Sequence, residues 1–171
     1  RSGTETGGSV GRASGSRPFD AEGLPVAPRA MVEGGVLRGW TLDLATGRQL
    51  GLPSSGNASR GTAGPPGPAA GNLTLTPGTL SREALIAEMG TGLVITSLIG
   101  SSVSATTGDY SRGASGFWVE RGEIVGPVNE CTVAGNLRAM LRSIVAANDA
   151  RSHLSRVVPS LLVEGLVIAG G

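Results

Sequence analysis

The chain has 171 residues with 39% hydrophobic side chains, which favours a packed core of the size of one domain. A net charge of +1 without a long basic run argues against a nucleic-acid-binding surface. One cysteine, no long apolar run and no hydrophobic amino-terminal signal predict a cytoplasmic protein without a disulfide or a membrane span.

The amino-terminal residues predict a flexible lead-in. Residues 1–16 are dominated by Gly and Ser and show no periodicity, so we place the domain at residues 17–171. The chain begins with Arg in the middle of this stretch. We therefore expect it to be a fragment of a longer protein.

Short elements follow in the first half of the predicted domain. The Gly/Pro/Ser segment over residues 53–71 is too long for a simple connector, and we expect it to be either functional or mobile. The predicted elements are two strands within residues 24–43 that turn at Glu33-Gly-Gly35, one or two helical turns over 44–50 closed by Gly51, and a strand over 73–76.

The second half predicts two clear helices and further hairpins. Ser81 is a suitable N-cap for a helix that ends at Gly90, and Asn136 caps a helix with one apolar face. Leu93–Ile99 is a nearly continuous apolar run, typical of a buried strand. The predicted hairpins turn at Arg121-Gly122 and, within residues 160–169, at Glu164-Gly165. Hairpins with about two helices predict a mainly β or α+β fold of antiparallel sheets.

The most informative segment is polar and lies between glycines. It contains the only tyrosine of the chain, and its candidate binding residues are Asp109, Tyr110, Ser111, Arg112 and Gly113. We expect a loop that leads into the hairpin at Arg121-Gly122. Arg112 and Asp109 either hold a peptide terminus or a subunit boundary, or pair with each other inside the fold.

The sequence contains few residues that are suited to catalysis. Zinc catalysis needs three converging protein ligands, and a serine nucleophile needs a nearby base. The chain has one histidine, His153, in a polar linker, and its one cysteine, Cys131, fits a small buried hydrophobe. We therefore predict no catalytic residue and no metal ligand here. What remains is a binding surface, since hairpin edges accept an extended peptide as an added strand.

Several motifs resemble one family in the same order along the chain. They are Phe19-Asp-Ala-Glu-Gly23, Gly39-Trp-Thr-Leu-Asp43, Gly56-Asn-Ala-Ser-Arg-Gly61, Pro77-Gly-Thr-Leu80, Gly108-Asp-Tyr-Ser-Arg-Gly-Ala-Ser-Gly-Phe-Trp-Val-Glu120, Thr132-Val-Ala-Gly-Asn-Leu137 and Pro159-Ser-Leu-Leu-Val-Glu-Gly165. This pattern resembles the carboxy-terminal domain of the PmbA/TldD family, first named as modulators of DNA gyrase, and within it the PmbA (TldE) branch. By this resemblance Asn57 and Arg60 join the candidate binding residues.

The resemblance implies a non-catalytic subunit of a zinc metalloprotease complex that processes peptides. The expected partners are a TldD-like metalloprotease subunit, which would hold the zinc, and a peptide substrate, in a homo- or hetero-oligomer. The zinc-bearing branch carries His-Glu-x-x-x-His upstream of the matched region and a cysteine near its carboxy terminus, and this chain shows neither. Two alternatives stay open: a standalone peptide- or protein-binding scaffold, and a metallopeptidase whose ligands lie upstream.

Overall fold

A computed structural model describes residues 4–6 and 14–170. Within those ranges the helices are α1 (Leu44–Leu50), α2 (Arg82–Met89) and α3 (Leu137–Ser143). The strands are β1 (Thr4–Thr6), β2 (Arg29–Glu33), β3 (Val36–Leu37), β4 (Ala58–Ser59), β5 (Gly67–Pro68), β6 (Leu73–Leu75), β7 (Gly92–Val103), β8 (Asp109–Glu120), β9 (Glu123–Asn136), β10 (Val145–Ala146), β11 (Arg156–Val157), β12 (Leu161–Leu162) and β13 (Val167–Ala169).

The fold is mainly β with antiparallel sheets, which confirms the predicted class; the described exception is the parallel pairing of β11 with β6. The chain divides into two compact units. The first contains Arg1–Pro77 and Ala150–Pro159, and the second contains Gly78–Asp149 and Ser160–Gly171. No helix in the described ranges is long and apolar enough to cross a membrane.

The first unit contains a sheet in the order β11-β6-β1-β2-β3. The predicted hairpin is confirmed as β2 and β3, and the predicted strand over residues 73–76 is confirmed as β6. β1 lies within the predicted lead-in and pairs with β2 on one side and β6 on the other. Residues 1–3 and 7–13 lie outside the described residues, so the boundary at residue 17 stays a prediction.

Helix α1 is confirmed, and its ends are fixed by local chemistry. The Asp43 carboxylate accepts hydrogen bonds from the Thr46 backbone N–H at 2.7 Å and from its hydroxyl at 2.6 Å. The Thr46 side-chain oxygen in turn accepts the Asp43 backbone N–H at 3.1 Å, which completes a capping box. These bonds from Thr46 hold the pKa of Asp43 below its usual value. Gly51 ends the helix with a φ of 67°, a left-handed conformation that glycine adopts readily.

The long segment over residues 53–71 is partly ordered, because β4 pairs with β5 inside it. Buried Asp20 anchors this pair: its carboxylate accepts the backbone N–H of Ala58 at 3.0 Å, of Glu22 at 2.9 Å and of Leu24 at 3.0 Å. Burial raises the pKa of Asp20, but these hydrogen bonds outweigh that effect and hold it below its usual value.

The second unit contains a four-stranded sheet in the order β13-β9-β8-β7. The hairpin between β8 and β9 is confirmed, and both turn residues have positive φ, 52° at Arg121 and 78° at Gly122, as a type I′ turn requires. Its core cluster contains Ala114, Cys131 and Val133. The Cys131 thiol donates to the Ala114 carbonyl at 3.0 Å, so the buried hydrophobe is confirmed.

Three other expectations for the second unit had different outcomes. Helix α2 is confirmed, with Ser81 as its N-cap and Gly90 at its end. Helix α3 forms with Asn136 as its N-cap, but it ends at Ser143 and none of its residues is buried, so its predicted apolar face is not packed into the core. The hairpin within residues 160–169 is also wrong, because β12 pairs with β10 while β13 pairs with β9.

Candidate functional site

Asp109–Gly113 lie in the first half of strand β8, so the predicted loop is wrong at these positions. Pairing with β9 begins at Asp109, which lies opposite Asn136, and pairing with β7 begins at Tyr110, which lies opposite Val103. The chain reverses just before, over residues 104–108, where Gly108 has a φ of 83°. The motif is therefore presented by a paired strand in the middle of the sheet.

The carboxylate of Asp109 is held inside the turn that precedes it. It accepts a hydrogen bond from the Thr107 hydroxyl at 2.7 Å and from the Asn136 side-chain amide at 3.4 Å. Asn136 also donates to the Thr107 carbonyl at 3.0 Å and accepts the Arg138 N–H at 3.1 Å as the N-cap of α3. These contacts fix the position of Asp109 relative to the start of α3.

Arg112 does not pair with Asp109. The ion pair found in the described residues joins Arg38 and Glu33, so the alternative of an internal Arg112–Asp109 pair is not the one that forms. Arg112 lies opposite Val133 on β9 and donates from Nη2 to the Leu98 carbonyl at 3.4 Å. Its Nε is buried without a hydrogen-bond partner, which is a costly arrangement for a charged group.

Three of the five candidate residues of β8 line one cavity of about 420 Å³ at the closed end of the β7–β8 hairpin. Its lining residues are Ser102, Val103, Ser104, Asp109, Tyr110 and Ser111. Half-buried Tyr110 also packs against the core cluster, whereas Ser111 is exposed. The cavity presents hydroxyl groups and one carboxylate, which are hydrogen-bonding groups suited to a peptide.

Strand β7 forms an outer edge of the same sheet. It pairs with β8 on one side and has no second partner among the described residues. Ile99 is 70% exposed and Val103 47% exposed, and Ile95 and Leu98 are also exposed. The expectation of a buried strand is therefore wrong over Ile95, Leu98 and Ile99, whereas Leu93 at the start of the run packs against the core cluster.

Asn57 and Arg60 lie in the first unit. Asn57 is buried, and its side-chain oxygen accepts from the Arg29 guanidinium at 3.4 Å (Nε) and 3.3 Å (Nη2). Burial lowers the pKa of Arg29. These contacts give Asn57 a role within the unit, whereas Arg60 is exposed.

No group of three or more His, Cys, Asp and Glu side chains in the described residues could hold an ion. His153 is exposed, and Cys131 is buried with its thiol bonded to a backbone carbonyl. A zinc site needs at least three convergent donors.

Sequence reasoning missed the residues that build the turn. Ser104 accepts the Gly108 N–H through its carbonyl at 2.8 Å, and its hydroxyl accepts the Thr107 N–H at 3.2 Å. The hydroxyls of Ser104 and Thr107 are typical turn-forming groups, so their positions before Gly108 were the available signal.

Comparison with known proteins relates the chain to one family. The domain described as the PmbA/TldA metallopeptidase C-terminal domain matches residues 5–170. The metalloprotease PmbA of Escherichia coli is 45% identical over 156 residues, which cover 91% of this chain and 33% of that protein. A PmbA homologue of Haemophilus influenzae is 41% identical, with the same two coverages. The chain thus spans about a third of these relatives.

Solved structures agree with this relationship. A candidate modulator of DNA gyrase from Thermotoga maritima superposes with a TM-score of 0.84 and 36% identity, over 98% of this chain and 39% of that one. TldE from Thermococcus kodakarensis has a TM-score of 0.87 at 22% identity, over 99% of this chain and 40% of that one, and this likeness shows the fold alone. The chain belongs to the PmbA/TldA metallopeptidase C-terminal domain family.

Proposed function

We propose that this domain is the non-catalytic, PmbA/TldE-like part of a zinc metalloprotease complex, where it binds peptide and assembles with a TldD-like catalytic subunit. The observation that carries the proposal is the open edge of β7. An unpaired edge offers backbone N–H and C=O groups to an added strand, and exposed apolar side chains add affinity. The exposed apolar side chains along β7 are those of Ile95, Leu98, Ile99 and Val103.

The cavity beside Tyr110 supports a peptide-binding role. It lies at the end of β7, so an extended peptide added to that edge would run toward the Asp109 carboxylate and the serine hydroxyls. Asp109 is fixed by Thr107 and Asn136, and a fixed acceptor loses little conformational freedom on binding. We assign Asp109, Tyr110 and Ser111 to peptide contact.

Arg112 is assigned to the subunit boundary. Its buried Nε has no acceptor within the described residues, and a carboxylate from a partner would satisfy it with a charge-assisted hydrogen bond. The catalytic zinc would belong to the partner subunit, because this chain offers one histidine and one buried cysteine.

An alternative follows from chain length. The curated relatives are named metalloproteases, and this chain spans about a third of them. The ligands of a metallopeptidase could therefore lie in an upstream region, in which case the protein would hydrolyse peptides by itself. A standalone binding scaffold would bind peptide without any protease partner.

The test compares two edges of one sheet. Ile99 on β7 is 70% exposed and Val167 on β13 is 64% exposed, so lysine at either position should leave folding intact. We expect Ile99→Lys to weaken binding of the TldD-like subunit or of an unfolded peptide about tenfold or more, as loss of an interface anchor does. Val167→Lys should leave both unchanged.

Different results would distinguish the readings. Loss of binding with Val167→Lys alone would move the interface to β13, and equal binding of both variants would contradict strand addition. Zinc-dependent hydrolysis without any partner would establish the metallopeptidase alternative. Peptide binding with no affinity for the TldD-like subunit would establish the standalone scaffold.

A further inference from the structure

A second cavity, lying entirely within the first unit, has a different chemical character. Its volume is about 420 Å³, and its other lining residues are glycine or alanine. The polar side chains around it belong to Ser14, Ser16, Arg17, Ser59, Ser155 and Arg156. Two guanidinium groups and four hydroxyls therefore surround a space whose lining contains no acidic residue.

Both guanidinium groups are held in place by backbone carbonyls. Arg17 donates from Nη2 to the Ala58 carbonyl at 2.8 Å, and Arg156 donates from Nη1 to the Gly71 carbonyl at 2.6 Å. Each guanidinium has five N–H donors. These bonds therefore orient the groups while using only one nitrogen of each. An oriented guanidinium loses less conformational freedom when it binds an anion.

The wall of the cavity is anchored by buried Asn72. Its side-chain oxygen accepts the Gly15 N–H at 3.1 Å, and its amide donates to the Ser16 hydroxyl at 3.0 Å. A side chain at Gly15 would come within 2.5 Å of that Asn72 oxygen, so the backbone approaches closely here. The lining is therefore a built feature of the unit.

The acidic neighbour of Arg17 is already engaged. Arg17 contributes to the low pKa of Asp20, but the Asp20 carboxylate accepts three backbone N–H groups of its own. Asp20 is buried and does not line the cavity. The cavity thus keeps a positive character, which attracts anions.

We propose that this cavity binds an oxyanion, a carboxylate or phosphate group, through the guanidinium groups of Arg17 and Arg156 and the surrounding serine hydroxyls. Planar guanidinium groups match the two oxygens of such anions. The volume exceeds that of one ion, so a peptide carboxy terminus with its last side chain also fits. This site is independent of strand addition at β7, which belongs to the other unit.

The experiment measures binding to the full chain by calorimetry with three probes. They are inorganic phosphate, a short peptide with a free carboxy terminus, and the same peptide amidated. Arg156→Gln is the test variant because Arg156 is exposed, and Arg151→Gln is its matched control, an exposed arginine that removes the same charge outside the cavity. We expect saturable binding that Arg156→Gln weakens at least tenfold and Arg151→Gln leaves within about twofold.

Each outcome supports or overturns the proposal, and two of them identify the source of the bound anion. Binding of the free-acid peptide without the amide identifies a peptide carboxylate, and binding of phosphate alone identifies a free anion; both support the site. Equal weakening by the two variants would show general charge attraction and overturn it. No saturable binding of any probe up to about 10 mM would also overturn it.

Discussion

Strands β7 and β8 approach each other closely at Gly116, and the substitution Gly116→Ala, which adds one methyl group there, tests this contact. A Cβ built at Gly116 would lie 1.9 Å from the Val94 carbonyl oxygen, whereas real Cβ contacts stay beyond 3.0 Å. The oxygen belongs to backbone, so β7 must retreat by more than 1 Å in Gly116→Ala. Gly126 on β9 is the matched control, since nothing lies within 4 Å of its Cβ position.

The magnitude follows from what the shift breaks. Moving the strands apart at the Ile95–Gly116 pair would lose about two ladder hydrogen bonds at about 1 kcal/mol each. Residual overpacking adds about 1–3 kcal/mol. We expect Gly116→Ala to lower the free energy of unfolding by about 3–5 kcal/mol. Gly126→Ala should be neutral or slightly stabilising, since alanine restricts the unfolded chain.

Urea unfolding followed by tryptophan fluorescence measures this difference. Trp118 lies on β8 in the second unit and Trp40 in the first, so a Trp40→Phe background makes the signal specific to the sheet that contains Gly116. Trp40 is 59% exposed, and its replacement should leave the fold intact. If Gly116→Ala and Gly126→Ala differ by less than about 0.5 kcal/mol, the backbone approach does not constrain the sheet.

Three further outcomes are expected. Hydrogen bonds hold the pKa of Asp20 below its usual value, so its contribution to stability is complete above about pH 4 and is lost as the pH falls through the lowered folded-state pKa. Urea unfolding across this pH range should therefore show a smaller decline in the free energy of unfolding for Asp20→Asn than for the unchanged protein. Buried Cys131 should react with a thiol reagent only as fast as the protein opens, and rapid labelling of folded protein would contradict its burial. Arg112→Met removes a buried donor without a partner, so thermal melts should show no loss of stability relative to an Arg138→Met control, while binding of the TldD-like subunit falls.

Local signals in the sequence predicted local structure well. The N-cap at Ser81, the capping residue Asn136 and the Arg121-Gly122 turn each depend on neighbours a few residues away, and all three are confirmed. Pairing between distant strands left no comparable signal. The turn at Gly165 is present, with a φ of 78°, but the strands on its two sides join different sheets.

At the candidate site, too, the sequence predicted local features but not the pairing of distant strands. The residue types between Asp109 and Arg112 marked a polar segment, but their placement on a strand depends on pairing with β7 and β9. The cavity lined by Arg17 and Arg156 could not be predicted from the sequence, because these two residues are far apart in the chain and meet only through the fold.

The position of β1 has a consequence for how the domain can be shortened. Thr4–Thr6 lie third in a five-stranded sheet and are bonded on both sides. Truncation before residue 17, where composition places the boundary, would remove the central strand and leave β6 and β2 with unpaired edges that face each other across a gap. Such edges recruit strands from other molecules. A shortened version should therefore self-associate, and a peptide carrying residues 1–16 should restore its monomeric behaviour.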